Sequence, residues 1–97
     1  MHIVKLKSAP LFEIEKLVAT PAVMKKVDPV YAMSCLASHM TGDWGLCGDE
    51  DKAENDWSVK HGARILSVWP LPDEAGEFWI ITEADRSVTS FLLPEEY

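Results

Sequence analysis

The side chains with chemistry to offer in this sequence are two cysteines, three histidines and sixteen carboxylates. Cys35, His39, Cys47 and His61 carry the donor atoms of a zinc site, with three, seven and thirteen residues between them. Zinc knuckles bring their ligands in closely spaced pairs, so this spacing predicts no metal site. Cys35 and His39 stand at i and i+4, which would set a thiol beside a base on one helix face. Cys35, however, lies among Met33, Leu36 and Ala37 and reads as a small buried hydrophobe. Asp43, Glu83 and Asp85 are the carboxylates that could gather around magnesium in a small hydrolase, although no Lys lies near enough in sequence to complete such a site. The five glycines, at 42, 45, 48, 62 and 76, are too scattered to form a phosphate cradle. The reading is therefore a protein without catalytic residues, cofactor or metal.

Charge is the uneven property. Residues 1–42 carry five Lys against three acidic residues, whereas residues 43–97 carry thirteen acidic against four basic ones, and the whole chain has a net charge of −7. The densest stretch holds Asp43, Asp49, Glu50, Asp51, Glu54 and Asp56 against the single Lys52, and a second cluster holds Asp73, Glu74 and Glu77. On a helix, Glu50 and Glu54 share a face, as do Asp51 and Glu54. Such a row can be a solvated face, with Asp49 to Asp51 well placed at the positive end of the helix dipole. It can also be a template for a basic, phosphate-binding groove, because like charges four residues apart cost a helix a few tenths of a kcal/mol each. On that second reading Asp43, Asp49, Glu50, Asp51, Glu54, Asp56, Asp73, Glu74 and Glu77 form the partner-binding surface. The sign of the charge argues against direct binding to nucleic acid or to an anionic membrane, and for a basic partner.

These residues must be positioned by a small fold. Ninety-seven residues make one domain, 1–97, with an expected radius of gyration of about 12 to 13 Å. A hydrophobic content of 47% that includes four Trp is enough to build a core without disulfides. No run reaches the length of a membrane span, and the start, Met1 to Lys5, has no leader pattern, which predicts a cytoplasmic chain with reduced cysteines. Ile3, Val4 and Leu6 suggest a first strand, and Phe12, Ile14, Lys16 and Val18 alternate with Glu13, Glu15 and Leu17. Thr20-Pro21 and Asp28-Pro29 are helix starts, predicting helices over Pro21–Val27 and Pro29–His39. In the second, Val30, Met33, Leu36, Ala37 and Met40 should face the core, with Gly42 as the stop. Asp49–Lys60 predicts a third helix, with Ala53, Trp57 and Lys60 at helical spacing and Gly62 ending it. Ala63–Leu71 and Glu77–Glu83 predict a hairpin around the turn at 72–76, and Val88–Leu93 a last strand. The fold class is α+β: an antiparallel sheet, made of a C-terminal meander of about three strands plus an N-terminal strand, with two to three helices on one face.

Two polar features read as structural. In Thr82 to Thr89, Asp85 and Ser87 supply turn chemistry and Arg86 is expected to pair with Glu83 or Asp85. Trp44, in the turn 42–45, reads as an anchor on the sheet before it reads as a recognition aromatic.

Leu36-Ala37-Ser38-His39, Gly42-Asp43-Trp44-Gly45, Asn55, Gly62 to Ser67, Trp79 to Ser87 and the ending Leu92 to Tyr97 resemble a family of small plasmid- and phage-borne proteins of unknown function. The resemblance covers about residues 34–97. This chain departs from the family in Cys47, in its acidic run after the Gly-Asp-Trp-Gly turn, and in Trp69, where Tyr is expected. The resemblance implies a mobile-element setting and no catalytic residue. Small acidic proteins of that setting are similar in kind to anti-CRISPR and other anti-defence inhibitors, several of which imitate DNA. The expectation is an inhibitor that binds a basic nucleic-acid-binding complex, a CRISPR surveillance complex foremost, and keeps DNA out of its groove. The alternatives are a regulatory or plasmid-maintenance module binding a protein through Trp44 and the sheet edge, and a small hydrolase centred on Asp43, Glu83 and Asp85.

Overall fold

A computed structural model describes residues 9–73 and 75–97. The elements run β1 (Lys16–Ala19), α1 (Pro21–Lys26), α2 (Pro29–Met40), α3 (Asp49–His61), β2 (Ile65–Pro70), β3 (Glu77–Thr82), β4 (Val88–Leu92) and a closing 3-10 turn (Pro94–Glu96). The fold is α+β, with a radius of gyration of 12.7 Å. The strand expected at Ile3 to Leu6 lies outside the described residues.

Local chemistry sets the helix boundaries. Thr20 Oγ1 accepts from the Val23 N–H at 3.2 Å and Pro21 follows it, so α1 starts where its free N–H groups are met. Asp28 does the same for α2, accepting from the Tyr31 N–H at 3.3 Å. α2 ends at Met40, and Gly42 takes φ +91° just beyond it. α3 has Asp49, Glu50 and Asp51 in its first turn, Lys60 and His61 in its last, and Gly62 at φ +68° as its left-handed cap.

The sheet order is β1-β4-β3-β2. β2, β3 and β4 form the expected antiparallel meander. β1 differs from expectation, because it pairs parallel with β4, Lys16 against Val88 through Ala19 against Phe91, and the sheet is mixed. The meander is dictated by local turns, whereas β1 joins β4 only after the chain has passed through three helices, so no turn residue announces its direction. Phe12 and Ile14 do not extend this strand; both pack against core clusters.

Register divides the sheet into two unlike faces. Ile65, Ser67, Trp69, Phe78, Ile80, Thr82, Thr89 and Phe91 share the inner face, all buried, against α1 and α2. Leu66, Val68, Trp79, Ile81 and Leu92 share the outer face, where most are only half-buried. α2 presents Ala32, Cys35, Leu36 and His39 to the core, while Val30 and Met33 are exposed, so the expected helical face is rotated. The reason is His39. Its ring is fully buried with Nδ1 2.6 Å from Ser67 Oγ and Nε2 2.9 Å from Thr82 Oγ1, and Thr82 continues to Thr89 at 2.8 Å. A polar residue whose nitrogens are both met can occupy a core position that apolar counting assigns elsewhere. Cys35 is buried as expected, and both cysteines are free.

Candidate functional site

α3 and the segment before it run along the β2 edge of the sheet, and the patterned residues explain how. The Val68 N–H donates to Trp44 O at 3.3 Å and Val68 O accepts from the Leu46 N–H at 2.8 Å, so residues 44–46 act as a short extra strand. Gly45 takes φ +67° there, and a Cβ on it would press on the Val68 carbonyl oxygen. Asn55 of α3 does the same for Leu66, its amide donating to Leu66 O at 2.8 Å and its Oδ1 accepting from the Leu66 N–H at 3.1 Å. The β2 edge is thereby closed to further pairing. Trp44 is 3% exposed, packs edge-on to His39 and donates its indole N–H to Asp56 at 2.9 Å. It is the expected anchor, and its burial removes it as a contact residue for a partner.

The nine acidic residues expected at the partner surface divide by what they touch. Asp43 Oδ1 accepts from the Gly45 N–H at 3.0 Å and Asp56 holds Trp44, so both have structural roles. Asp49, Glu50, Asp51 and Glu54 are exposed on α3, with no hydrogen-bond or ion-pair partner among the described residues. Asp73 is exposed in the hairpin turn, and Glu74 lies outside the described residues. Glu77 is half-buried at the start of β3 and accepts from the Trp79 indole N–H at 3.2 Å.

Three of these carboxylates line one groove. Asp51 and Glu54 from α3 and Glu77 from β3 rim a groove of about 500 Å³ that opens between α3 and the outer sheet face. Leu66, Val68 and Trp79 line it, with Leu46 and Cys47 from the segment that leads into α3. Arg64 also lines it, but its Nη2 and Nε lie 3.2 and 3.3 Å from Glu83 Oε1 and its Nη1 donates to the Tyr97 hydroxyl at 2.6 Å. The groove therefore keeps an acidic rim over an apolar floor, within the size range of ligand sites.

The carboxylates of the candidate hydrolase site are each engaged by a neighbour of their own. Glu83 is engaged by Arg64, Asp85 accepts from the Ser87 hydroxyl and N–H, and Asp43 holds its own turn. The Ser87 hydroxyl, and after it the Ser87 N–H, holds the Asp85 carboxyl below the usual range. Among the described residues no three His, Cys, Asp or Glu side chains are placed to hold a metal ion. Burial pushes the Cys35 thiol up to about 11, and burial followed by the Arg86 charge pulls His39 down to about 3, so at neutral pH the pair is a thiol and a neutral imidazole. Burial likewise raises the Cys47 thiol, whose Sγ lies 3.4 Å from Leu66 O. Among the described residues Arg86 pairs with no carboxylate. It takes φ +65° and its guanidinium donates to Ala63 O at 2.6 Å, Ser58 O at 2.9 Å and Glu83 O at 3.3 Å. It thus ties the C-terminal end of α3 to the β2 and β3 strand ends, adding a charged donor to carbonyls of which Ser58 O and Glu83 O already accept from backbone N–H groups.

The groove floor was not expected from the sequence. Its signal is that β2 and β3 are apolar on both faces, Leu66 and Val68 alternating with Ile65, Ser67 and Trp69, while α1 and α2 cover one face only. No helix among the described residues is long and apolar enough to cross a membrane. Comparison with protein-family models, with curated proteins and with solved structures gives no match.

Proposed function

We propose that this chain is a non-catalytic binding protein of the anti-defence type, which docks on a basic partner through α3 and the acid-rimmed groove beside it. The partner is a Lys/Arg-lined DNA-binding groove of a host defence complex, a CRISPR surveillance complex foremost, and occupying it keeps DNA out. One observation carries the reading: the side chains of Asp49, Glu50, Asp51 and Glu54 stand on a helix without hydrogen-bond or ion-pair partners among the described residues, next to the groove rimmed by Asp51, Glu54 and Glu77. A fixed row of anions steers a basic surface over a Debye length and releases its small ions on contact, as a nucleic-acid backbone does.

The test is capture from a lysate bearing a CRISPR system, at low and then high salt, with the parent and a D49N/E50Q/D51N/E54Q variant. The parent is expected to retain basic nucleic-acid-binding effectors that salt removes, and the variant to lose them while keeping its helical circular dichroism. Capture that resists salt, or a variant that captures as well as the parent, overturns the reading.

A further inference from the structure

We infer that the groove between α3 and the outer sheet face seats one Lys or Arg side chain of a basic partner segment, its stem on Trp79 and Leu66 and its head among Asp51, Glu54 and Glu77. The inference deepens the functional reading and rests on it for the partner's identity.

The argument starts from what the groove lacks. Leu66, Val68 and Trp79 share one sheet face by register, with α1 and α2 packed on the other face and α3 across the groove from them. A purely apolar guest would leave the carboxylate rim desolvated without compensation, and an anionic guest would be repelled by it. A long cationic side chain is apolar along its stem and charged at its tip, which matches a floor of Leu and Trp under a rim of carboxylates. The rim comes from two elements, α3 and β3, so carboxylates border the groove on both its helix side and its sheet side. Arg64 does not fill this role, because Glu83 and Tyr97 hold its guanidinium. Trp79 offers the aromatic ring type that best attracts a cation. Its indole N–H engages only Oε1 of Glu77, leaving Oε2 without a partner among the described residues. A guanidinium or ammonium arriving there changes the environment of the Trp79 N–H, which makes this bond the natural reporter.

The probe is a blocked hexapeptide with one arginine between two leucines, compared with the same peptide carrying glutamine in place of arginine. Both are titrated into the full-length ¹⁵N-labelled protein by NMR. The arginine peptide is expected to bind at about millimolar affinity, as one seat alone allows. It should move the Trp79 indole and the Leu66 and Val68 amides, while the glutamine peptide leaves them in place. Glu54→Gln, on an exposed helix face that folds without it, should weaken the arginine peptide about five-fold, and so should Glu77→Gln, whose amide oxygen still accepts from Trp79. Equal binding of the two peptides, or shifts confined to α3 that spare Trp79, overturns the seat. Shifts at Trp79 without salt-sensitive capture of a basic complex would uphold the seat and sink the functional reading; capture lost in the α3 variant without shifts at Trp79 would do the reverse.

Discussion

Lowering the pH from about 7.5 to about 5 should weaken this fold through a single buried ring. His39 has no exposed surface, sits between the Ser67 and Thr82 hydroxyls, and faces no carboxylate in its hydrogen-bonded chain. Burial, and then the Arg86 charge, depress it from 6.5 to about 3. An imidazolium there would donate from both nitrogens, so Ser67 Oγ, which already accepts from the Trp69 N–H at 2.7 Å, would have to accept a second time and leave its own O–H without an acceptor among the described residues. The folded ring therefore stays neutral while the unfolded one takes up a proton, so stability is complete above about pH 6.5 and falls as the pH drops toward 3. Linkage sets the loss at about 2 kcal/mol at pH 5, about 3 at pH 4 and about 5 once both states are protonated. Urea unfolding followed by tryptophan fluorescence reads it directly. With a slope of about 1 to 2 kcal/mol per molar, the midpoint at pH 5 should lie about 1 to 2 M below that at pH 7.5. The window lies above the ordinary carboxylate range of about 4, so acidic groups contribute little to it. His39→Gln should be less stable at every pH and should lose most of the slope. A parent midpoint that does not move, or a variant that keeps the full slope, would refute the reasoning.

Gly45→Ala should lower stability by about 2 kcal/mol or more, seen as a fall in Tm of about 10 °C, because the new Cβ meets the Val68 carbonyl at a positive φ and opens the β2 edge. Arg86→Lys should cost about 2 kcal/mol in urea unfolding, since an ammonium cannot reach the three carbonyls that the planar guanidinium holds. Arg64→Lys, in a half-exposed pair with Glu83, should change it by less than about 1 kcal/mol. Asp56→Asn should leave Tm nearly unchanged, because Asn still accepts from Trp44, whereas Asp56→Ala should cost about 1 to 2 kcal/mol.

Local signals were legible and non-local ones were not. Thr20-Pro21, Asp28-Pro29 and Gly62 mark helix ends through bonds and dihedrals that span a few residues, and the observed boundaries fall within two residues of those expected. The hairpin from β2 to β3 follows from its turn in the same way. The parallel partner of β1, the core place of His39 and the carbonyl clasp of Arg86 each depend on groups far along the chain. Ser67 and Thr82 are 28 and 43 residues from His39, and no spacing rule reaches that far. The acidic run was plain in the composition. That Asp51, Glu54 and Glu77 rim one groove required the register of β3 against β2.

The most patterned residues and the candidate surface turn out to be different sets, and the physics of a small sheet explains why. A sheet with one helix-covered face must still close its edges and its second face. Gly45, Trp44, Asn55 and Arg86 are tied to β2 and its neighbours for that purpose, and each has a geometry that few other residues satisfy. The second face is closed only in part, with Tyr97 turned edge-on to Trp79 at 5.5 Å and bonded to Arg64. What remains open is the strip from Leu66 to Trp79 beside α3, where Asp51 and Glu54 have exposed side chains without a hydrogen bond or ion pair among the described residues and Glu77 also accepts from Trp79. Glu54→Gln should have little effect on the fold, whereas Gly45→Ala should cost about 2 kcal/mol or more. A partner that depends on charge at those positions would leave a compositional trace instead of a motif, which is why the proposed function rests on residues whose identity the fold constrains least.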